Sequence, residues 1–238
     1  MNAEISITRR QLNALNPVLI ASGNSFAQAD IFKIEMCGQS VIVKDFIHRP
    51  WIFRATIGRL FLKREVRALK QLASISNVPK ILGVVDGYAF IMSIAPGQRL
   101  PDRWAPPPSL QTLNRLKTLV EQIHARGIAH NDLRRTNIFY DQQETPYIID
   151  FATALFKSNK DSDPIFNKAA MLDKIKIAKI KQAYYPQRLT EHDNRLLTQG
   201  AFYKRLSAFW KDAIYRPFLK QARWRERMQR WKIYFWAR

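Results

Sequence analysis

His130-Asn131-Asp132-Leu133-Arg134-Arg135-Thr136-Asn137, followed later by Ile149-Asp150-Phe151-Ala152, is the stretch that decides how this chain folds. It places two carboxylates and one amide, Asp132, Asp150 and Asn137, in polar segments between apolar ones. Upstream, Leu110, Leu113, Leu116, Val120 and Ile123 recur at helical spacing behind Ser109, a capping residue, and Gly127 should end that helix. Between the two acidic positions, residues 137–140 and 146–149 read as short strands flanking a polar turn. Asp and Asn often serve only as loop caps. Here the ordered set, preceded by a helix and bridged by a strand-turn-strand, favours a functional centre.

The spacing resembles the protein-kinase catalytic loop, H-R-D-L-x-x-x-N, and its later D-F-G, with His130, Asp132, Leu133 and Asn137 in register. The resemblance implies phosphoryl transfer from ATP, a reaction that needs little covalent help and much electrostatic help. Hard oxygen ligands must hold Mg2+ in such a centre. By resemblance, Asp150 holds the metal bridging the phosphates, Asn137 serves a second metal position, Asp132 accepts or orients the acceptor hydroxyl, and His130 is a structural brace. Two departures matter. Asn131 replaces the usual Arg, which argues against a clamp on a phosphorylated activation loop. Ala152 replaces Gly, which limits positive φ after Phe151.

A kinase-like chain also needs a strand lysine for the α- and β-phosphates and a glutamate on the following helix. Val41-Ile42-Val43-Lys44 resembles V-A-I-K, and Glu65 in Arg64-Glu65-Val66 supplies the partner; taken alone, each is an ordinary surface charge. Around them, residues 17–46 read as β-rich, with alternation over 31–36, a turn at Cys37-Gly38-Gln39 and a strand over 40–46. Ile57, Leu60, Phe61, Leu69 and Leu72 then recur at helical spacing through Ser74, and Asp86-Gly87 turns a second hairpin. The phosphate-covering loop is expected at Ala21-Ser22-Gly23-Asn24-Ser25-Phe26, where only Gly23 remains of the G-x-G-x-x-G set. Its N–H groups and Ser22 or Ser25 would cover phosphates. Met92, Ile94 and Ala95 are expected to wall the nucleotide base, although plain core roles would suit them as well.

Past Phe151 the chain is short and lacks the A-P-E landmark. In this it is similar to compact bacterial kinases related to the RIO and lipopolysaccharide Kdo kinase families, over about residues 18–186. Asp173, in Asp173-Lys174-Ile175-Lys176, is either the helix aspartate that anchors the catalytic loop in such folds or an ordinary acid at a helix start.

Bulk properties set the frame. With 238 residues, 47% of them apolar, the chain can bury one ordinary core or two small lobes. A single cysteine, Cys37, excludes an internal disulfide, and one Cys with four scattered His is not expected to build a metal-ligand cluster. The first residues hold no apolar stretch of the length expected of a signal peptide, and no uncharged run approaches the ~18 residues of a membrane span. A cytoplasmic protein, peripheral on a membrane at most, is the expectation. The 39 basic residues against 19 acidic leave +20, so anionic partners are expected: nucleotide phosphates, acidic head groups or nucleic acid.

Residues 201–238 hold eleven Lys/Arg, two acids and four of the six tryptophans. Trp224, Met228, Trp231 and Phe235 share one helical face, with Arg223, Arg225, Arg227, Arg230 and Lys232 around it. Contact with an anionic membrane ranks first, packing on the helical lobe second and nucleic acid third. The expected architecture is an α+β, two-lobed kinase-like fold: a β-rich lobe over 1–95, a helical lobe over 96–200 and a helical extension over 201–238. The expected reaction is γ-phosphoryl transfer from ATP, with Mg2+, to a protein Ser/Thr hydroxyl. A sugar hydroxyl on a lipopolysaccharide-like glycolipid, or a nucleotide-binding pseudokinase adaptor at membrane or RNA, are the alternatives.

Overall fold

A computed structural model describes residues 7–23, 28–102, 104–158 and 162–210. The chain divides into two compact units, Met1–Arg188 and Leu189–Arg238. The first opens with a short helix that the sequence reading did not anticipate, α1 (Arg9–Ala14). Thr8 Oγ1 accepts the Gln11 amide while Gln11 Oε1 accepts the Thr8 amide, a capping box that starts the helix.

Five strands follow: β1 (Val18–Ala21), β2 (Asp30–Met36), β3 (Gln39–Asp45), β4 (Ile81–Val85) and β5 (Ala89–Ser93). They form one antiparallel sheet in the order β1-β2-β3-β5-β4. Both tight turns have positive φ at each central residue, 51° and 72° at Cys37 and Gly38, 45° and 74° at Asp86 and Gly87. Paired positive φ values match the right-handed twist of hairpin strands.

Because side chains alternate across a strand, Val41 and Val43 point to one face and Ile42 and Lys44 to the other. The first face buries Ile34, Val41, Val43, Val85, Ala89 and Ile91 with Leu12 of α1. The second carries Phe90 and Met92 into the main core with Leu62, Val66 and Leu69. Strand periodicity therefore delivers Lys44 to the face covered by a helix.

That helix is built in three parts. α2 (Trp51–Phe53) passes through a π-helical turn, Arg54–Gly58, into α3 (Arg59–Gln71). The buried strip runs through Gly58, Leu62, Glu65, Leu69 and Leu72. Ile57 and Leu60, which the apolar pattern placed in the periodic set, are 38% and 54% exposed. Gly58 lies against the Phe46 ring, where a Cβ would come within 3.0 Å of Cδ1. A glycine and a glutamate in the buried strip are invisible to hydropathy, so the pattern was read one residue off at its start.

The helical half begins after Gly97, with β6 (Gln98–Arg99), α4 (Leu110–Ala125) and β7 (Ile128–Ala129). Then come β8 (Ile138–Tyr140), β9 (Pro146–Ile148), β10 (Leu155–Phe156) and α5 (Pro164–Tyr184). Ser109 Oγ accepts the Thr112 amide at 3.2 Å, and Gly127, at φ 71°, follows the end of α4, both as expected. α5 starts at Pro164, where the Asp163 carboxylate accepts the Phe166 amide. One apolar cluster runs from Phe46 and Leu72 through Leu113, Leu116 and Leu133 to Phe151 and Ile177. The architecture is thus α+β, an antiparallel sheet with one long helix followed by a helical half, in agreement with the two-lobed kinase-like expectation.

The second unit contains α6 (Glu191–Trp210), opened by reciprocal bonds between Thr190 and Asp193. The expected helix carrying Trp224, Met228, Trp231 and Phe235 lies outside the described residues. No described helix is long and apolar enough to cross a membrane.

Candidate active site

The segment His130–Asn137 is pinned from below by α5. The Asp173 carboxylate, 1% exposed, accepts the backbone N–H of His130 at 2.7 Å and of Asn131 at 2.9 Å, and faces His124 Nε2 at 3.0 Å. Of the two roles open to Asp173 in the sequence, the structure shows the anchor; the residue lies inside α5 and not at its start. A carboxylate taking two backbone N–H groups satisfies donors that the sharp loop would leave buried and unpaired. Asn131 holds a left-handed φ of 65°, which Asn tolerates better than most residues.

His130 is buried and braces the loop on its other side. Its Nε2 lies 2.9 Å from the Ile149 carbonyl oxygen and its ring sits 4.8 Å from that of Phe151. Leu133 is buried in the core beneath. The amide of Ile149 bonds to the Asn137 carbonyl at 2.9 Å, and Ile138 pairs with Ile148, so the β8–β9 hairpin sets Asn137 beside the approach to Asp150. Asn137 Nδ2 donates to the Asp132 carbonyl at 3.0 Å and its Oδ1 accepts the Thr136 hydroxyl at 3.4 Å, which fixes the amide.

Across from this loop, Lys44 Nζ lies 2.7 Å from Glu65 Oε1 and 2.9 Å from Asp150 Oδ1. Three residues separated by as many as 106 positions meet at one ammonium group. Glu65 Oε1 also accepts the Phe151 amide at 3.3 Å. Burial disfavours a charged Lys44, yet the Glu65 and Asp150 carboxylates outweigh it and raise its pKa. Asp150 shows the reciprocal effect. Partial desolvation pushes its carboxyl up, and Lys44 pulls it further down, leaving it below the usual carboxylate range. Asp150 also carries a left-handed φ of 70°, a conformation that costs a β-carbon-bearing residue about 1 kcal/mol or more. Ala152 was expected to restrict positive φ; it is Asp150 that adopts it.

The other predicted positions divide. Asp132 lies in the loop and accepts the Arg134 guanidinium, which bonds to Oδ2 through Nε at 3.0 Å and through Nη2. Met92 is buried, pairing with Ile42 and Ile81, and belongs to the core cluster. Ile94, just past β5, is 40% exposed. The Gly23 amide donates to Asp30 Oδ1 at 3.0 Å, so that N–H serves the loop itself. Ser22 Oγ and Arg49 converge on the same carboxylate, a buried tie between the loop and β2 that sequence reading missed. Ser25 lies outside the described residues. Arg134 was missed as well, although its place two residues after Asp132 in a short loop was the available signal.

The matched family settles what this arrangement belongs to. The model of the RIO domain matches residues 45–176, more than half of the chain. This chain belongs to the RIO domain family. The matched RIO span starts at Asp45, directly after Lys44, and includes Glu65, the His130–Asn137 loop, Asp150 and the Asp173 anchor. RIO domains are protein-kinase-like, with kinase and ATPase members of atypical type, which supports a kinase-type enzyme and implies ATP as its nucleotide. Comparison with curated proteins finds no match. The donor set fits the implied divalent ion: a depressed carboxylate at Asp150 and the fixed amide oxygen of Asn137 are hard oxygen ligands of the kind Mg2+ takes.

Proposed function

We propose that this chain transfers the γ-phosphoryl group of ATP to a protein Ser or Thr hydroxyl, in a cleft between a β-rich lobe over 1–95 and a helical lobe from 96 onward. The observation that carries the proposal is the Lys44 ammonium held between Glu65 and Asp150. A lysine buried to 8% exposure and tied to two carboxylates from different elements is not an ordinary surface charge.

In this reading Glu65 orients Lys44 toward the α- and β-phosphates, and Asn137 with Asp150 supplies the protein ligands for magnesium. A divalent cation held by Asn137 and Asp150 would supply positive charge opposite the phosphates. Asp132 receives the acceptor hydroxyl. Both Arg134 bonds go to Oδ2, which leaves Oδ1 for the hydroxyl proton. Asp173 and His130 act at one remove, holding Asp132 and Asn137 in a fixed relation. Ile94 walls the base with Met92 behind it, and Gly23 belongs to the loop over the phosphates.

The acceptor is tested by supplying γ-labelled ATP and the purified chain to lysate fractions, with protein and lipid products resolved separately. Label on protein Ser/Thr is the expected result. Label confined to a glycolipid fraction would move the assignment to a sugar hydroxyl, and label nowhere would favour a nucleotide-binding adaptor.

A further inference from the structure

The helix that carries Glu65 presents a second feature on its outer side, unrelated to the cleft. Between Trp51 and Gln71 it has six Lys/Arg and a single acid, Glu65, which is buried against Lys44. Within its first ten residues, Trp51, Ile52, Ile57 and Leu60 are 70%, 54%, 38% and 54% exposed. Single exposed apolar residues need no explanation, but four together do. Ile52, Thr56, Leu60 and Arg64 recur at every fourth position, and the wider π turn at Arg54–Gly58 keeps them in one row, opposite Gly58, Leu62 and Glu65. Arg59, Lys63 and Arg67, all exposed, flank that row.

We propose that this face docks on an anionic lipid surface. Trp51, Ile52 and Leu60 enter the boundary between head groups and acyl chains, and Arg59, Lys63, Arg64 and Arg67 meet lipid phosphates. A bilayer interface satisfies both halves of the pattern at once. Nucleic acid would engage the cations and leave Ile52 and Leu60 without partners, because bases stack on aromatic rings and not on branched aliphatic chains. The docking face is on the side of the helix away from Glu65, so lipid contact leaves the Lys44 pair in place. The inference requires neither phosphoryl transfer nor residues 201–238.

Cys37, the only cysteine, is exposed in the β2–β3 turn and offers an internal control. The full chain is labelled with an environment-sensitive fluorophore at Cys37, or at position 60 in a Cys37→Ser/Leu60→Cys variant. Each is mixed with vesicles of phosphatidylglycerol and phosphatidylcholine, or of phosphatidylcholine alone. On anionic vesicles the label at 60 should shift to the blue and be quenched by shallow brominated lipid, while the label at Cys37 stays in water. An Ile52→Ser/Leu60→Ser chain should lose about tenfold in vesicle affinity at an unchanged melting temperature. The proposal is overturned by an aqueous signal from position 60 on vesicles that bind the chain, by no binding to anionic vesicles, or by undiminished binding of the double variant.

Discussion

Asp173 Oδ2 accepts the His130 amide at 2.7 Å, across 43 residues of sequence, and so fixes the height of the His130–Asn137 loop on α5. The same carboxylate takes the Asn131 amide, at a residue held in left-handed φ. Asp173→Ala leaves two N–H groups without acceptors, one of them on the fully buried His130. At about 1–3 kcal/mol for each such group, the chain should lose about 3 kcal/mol of stability, read by urea unfolding. Asp173→Asn keeps one acceptor oxygen and should lose roughly half as much. A loss under about 1 kcal/mol in both variants would show that the loop stands without its anchor.

Lys44 and Glu65 make a prediction that separates structure from function. Lys44→Met strands the Glu65 carboxylate at 3% exposure, and should cost about 3 kcal/mol. Lys44→Met/Glu65→Leu removes both charges and should recover most of that stability, because burying a pair of apolar side chains there carries no desolvation penalty. Nucleotide affinity, measured by isothermal titration, should stay lost in the double variant. Recovery of affinity along with stability would mean that Lys44 is a structural ion only.

The depressed Asp150 carboxyl sets a pH window. Its folded-state pKa is lower than that of the unfolded chain, so the stability it contributes is fully present above the unfolded value and is lost as pH falls through the folded one. The stability difference between the native chain and Asp150→Asn should therefore be flat from neutrality to about pH 4 and shrink below it. Urea midpoints across that range check this. A difference already shrinking near pH 6 would contradict the assignment of Lys44 as the partner that lowers Asp150.

Gly97 governs the connector between the sheet and the helical half. It sits at φ 80°, and a Cβ there would collide with the Tyr140 carbonyl. Gly97→Ala combines strained backbone with a clash against main chain and should cost about 2 kcal/mol or more in chemical unfolding. An unchanged midpoint would show that the β6–β8 pairing gives way easily.

The His130–Asn137 loop, both hairpins and the α4 cap were legible because local chemistry determines each: paired turn residues, a serine before an apolar run, and an ordered set of polar residues in one short loop. Lys44 and Glu65 were legible only through resemblance, since a strand lysine and a helix glutamate look alike in thousands of surfaces until their meeting point is known. What stayed hidden was long-range or irregular. Asp173 stayed undecided between loop anchor and ordinary helix acid, because the partners that decide it lie 42 to 49 residues away. The π turn at Arg54–Gly58 has no sequence signature, and it turns Ile57 and Leu60 outward while Gly58 and Glu65 go in. α1 was passed over because its apolar content is small, although Thr8 and Gln11 carried a capping signal.

The centre as a whole is tested most directly by measuring Mg-dependent ATP affinity and phosphoryl transfer side by side in Asp132→Asn and Asp150→Asn. Asp132→Asn should keep its ATP affinity within about threefold and lose a factor of about 100 to 10,000 in turnover. Asp150→Asn should lose the Mg2+ dependence of ATP binding itself. Full turnover in the first variant, or native Mg-ATP affinity in the second, would contradict the roles given to the two carboxylates.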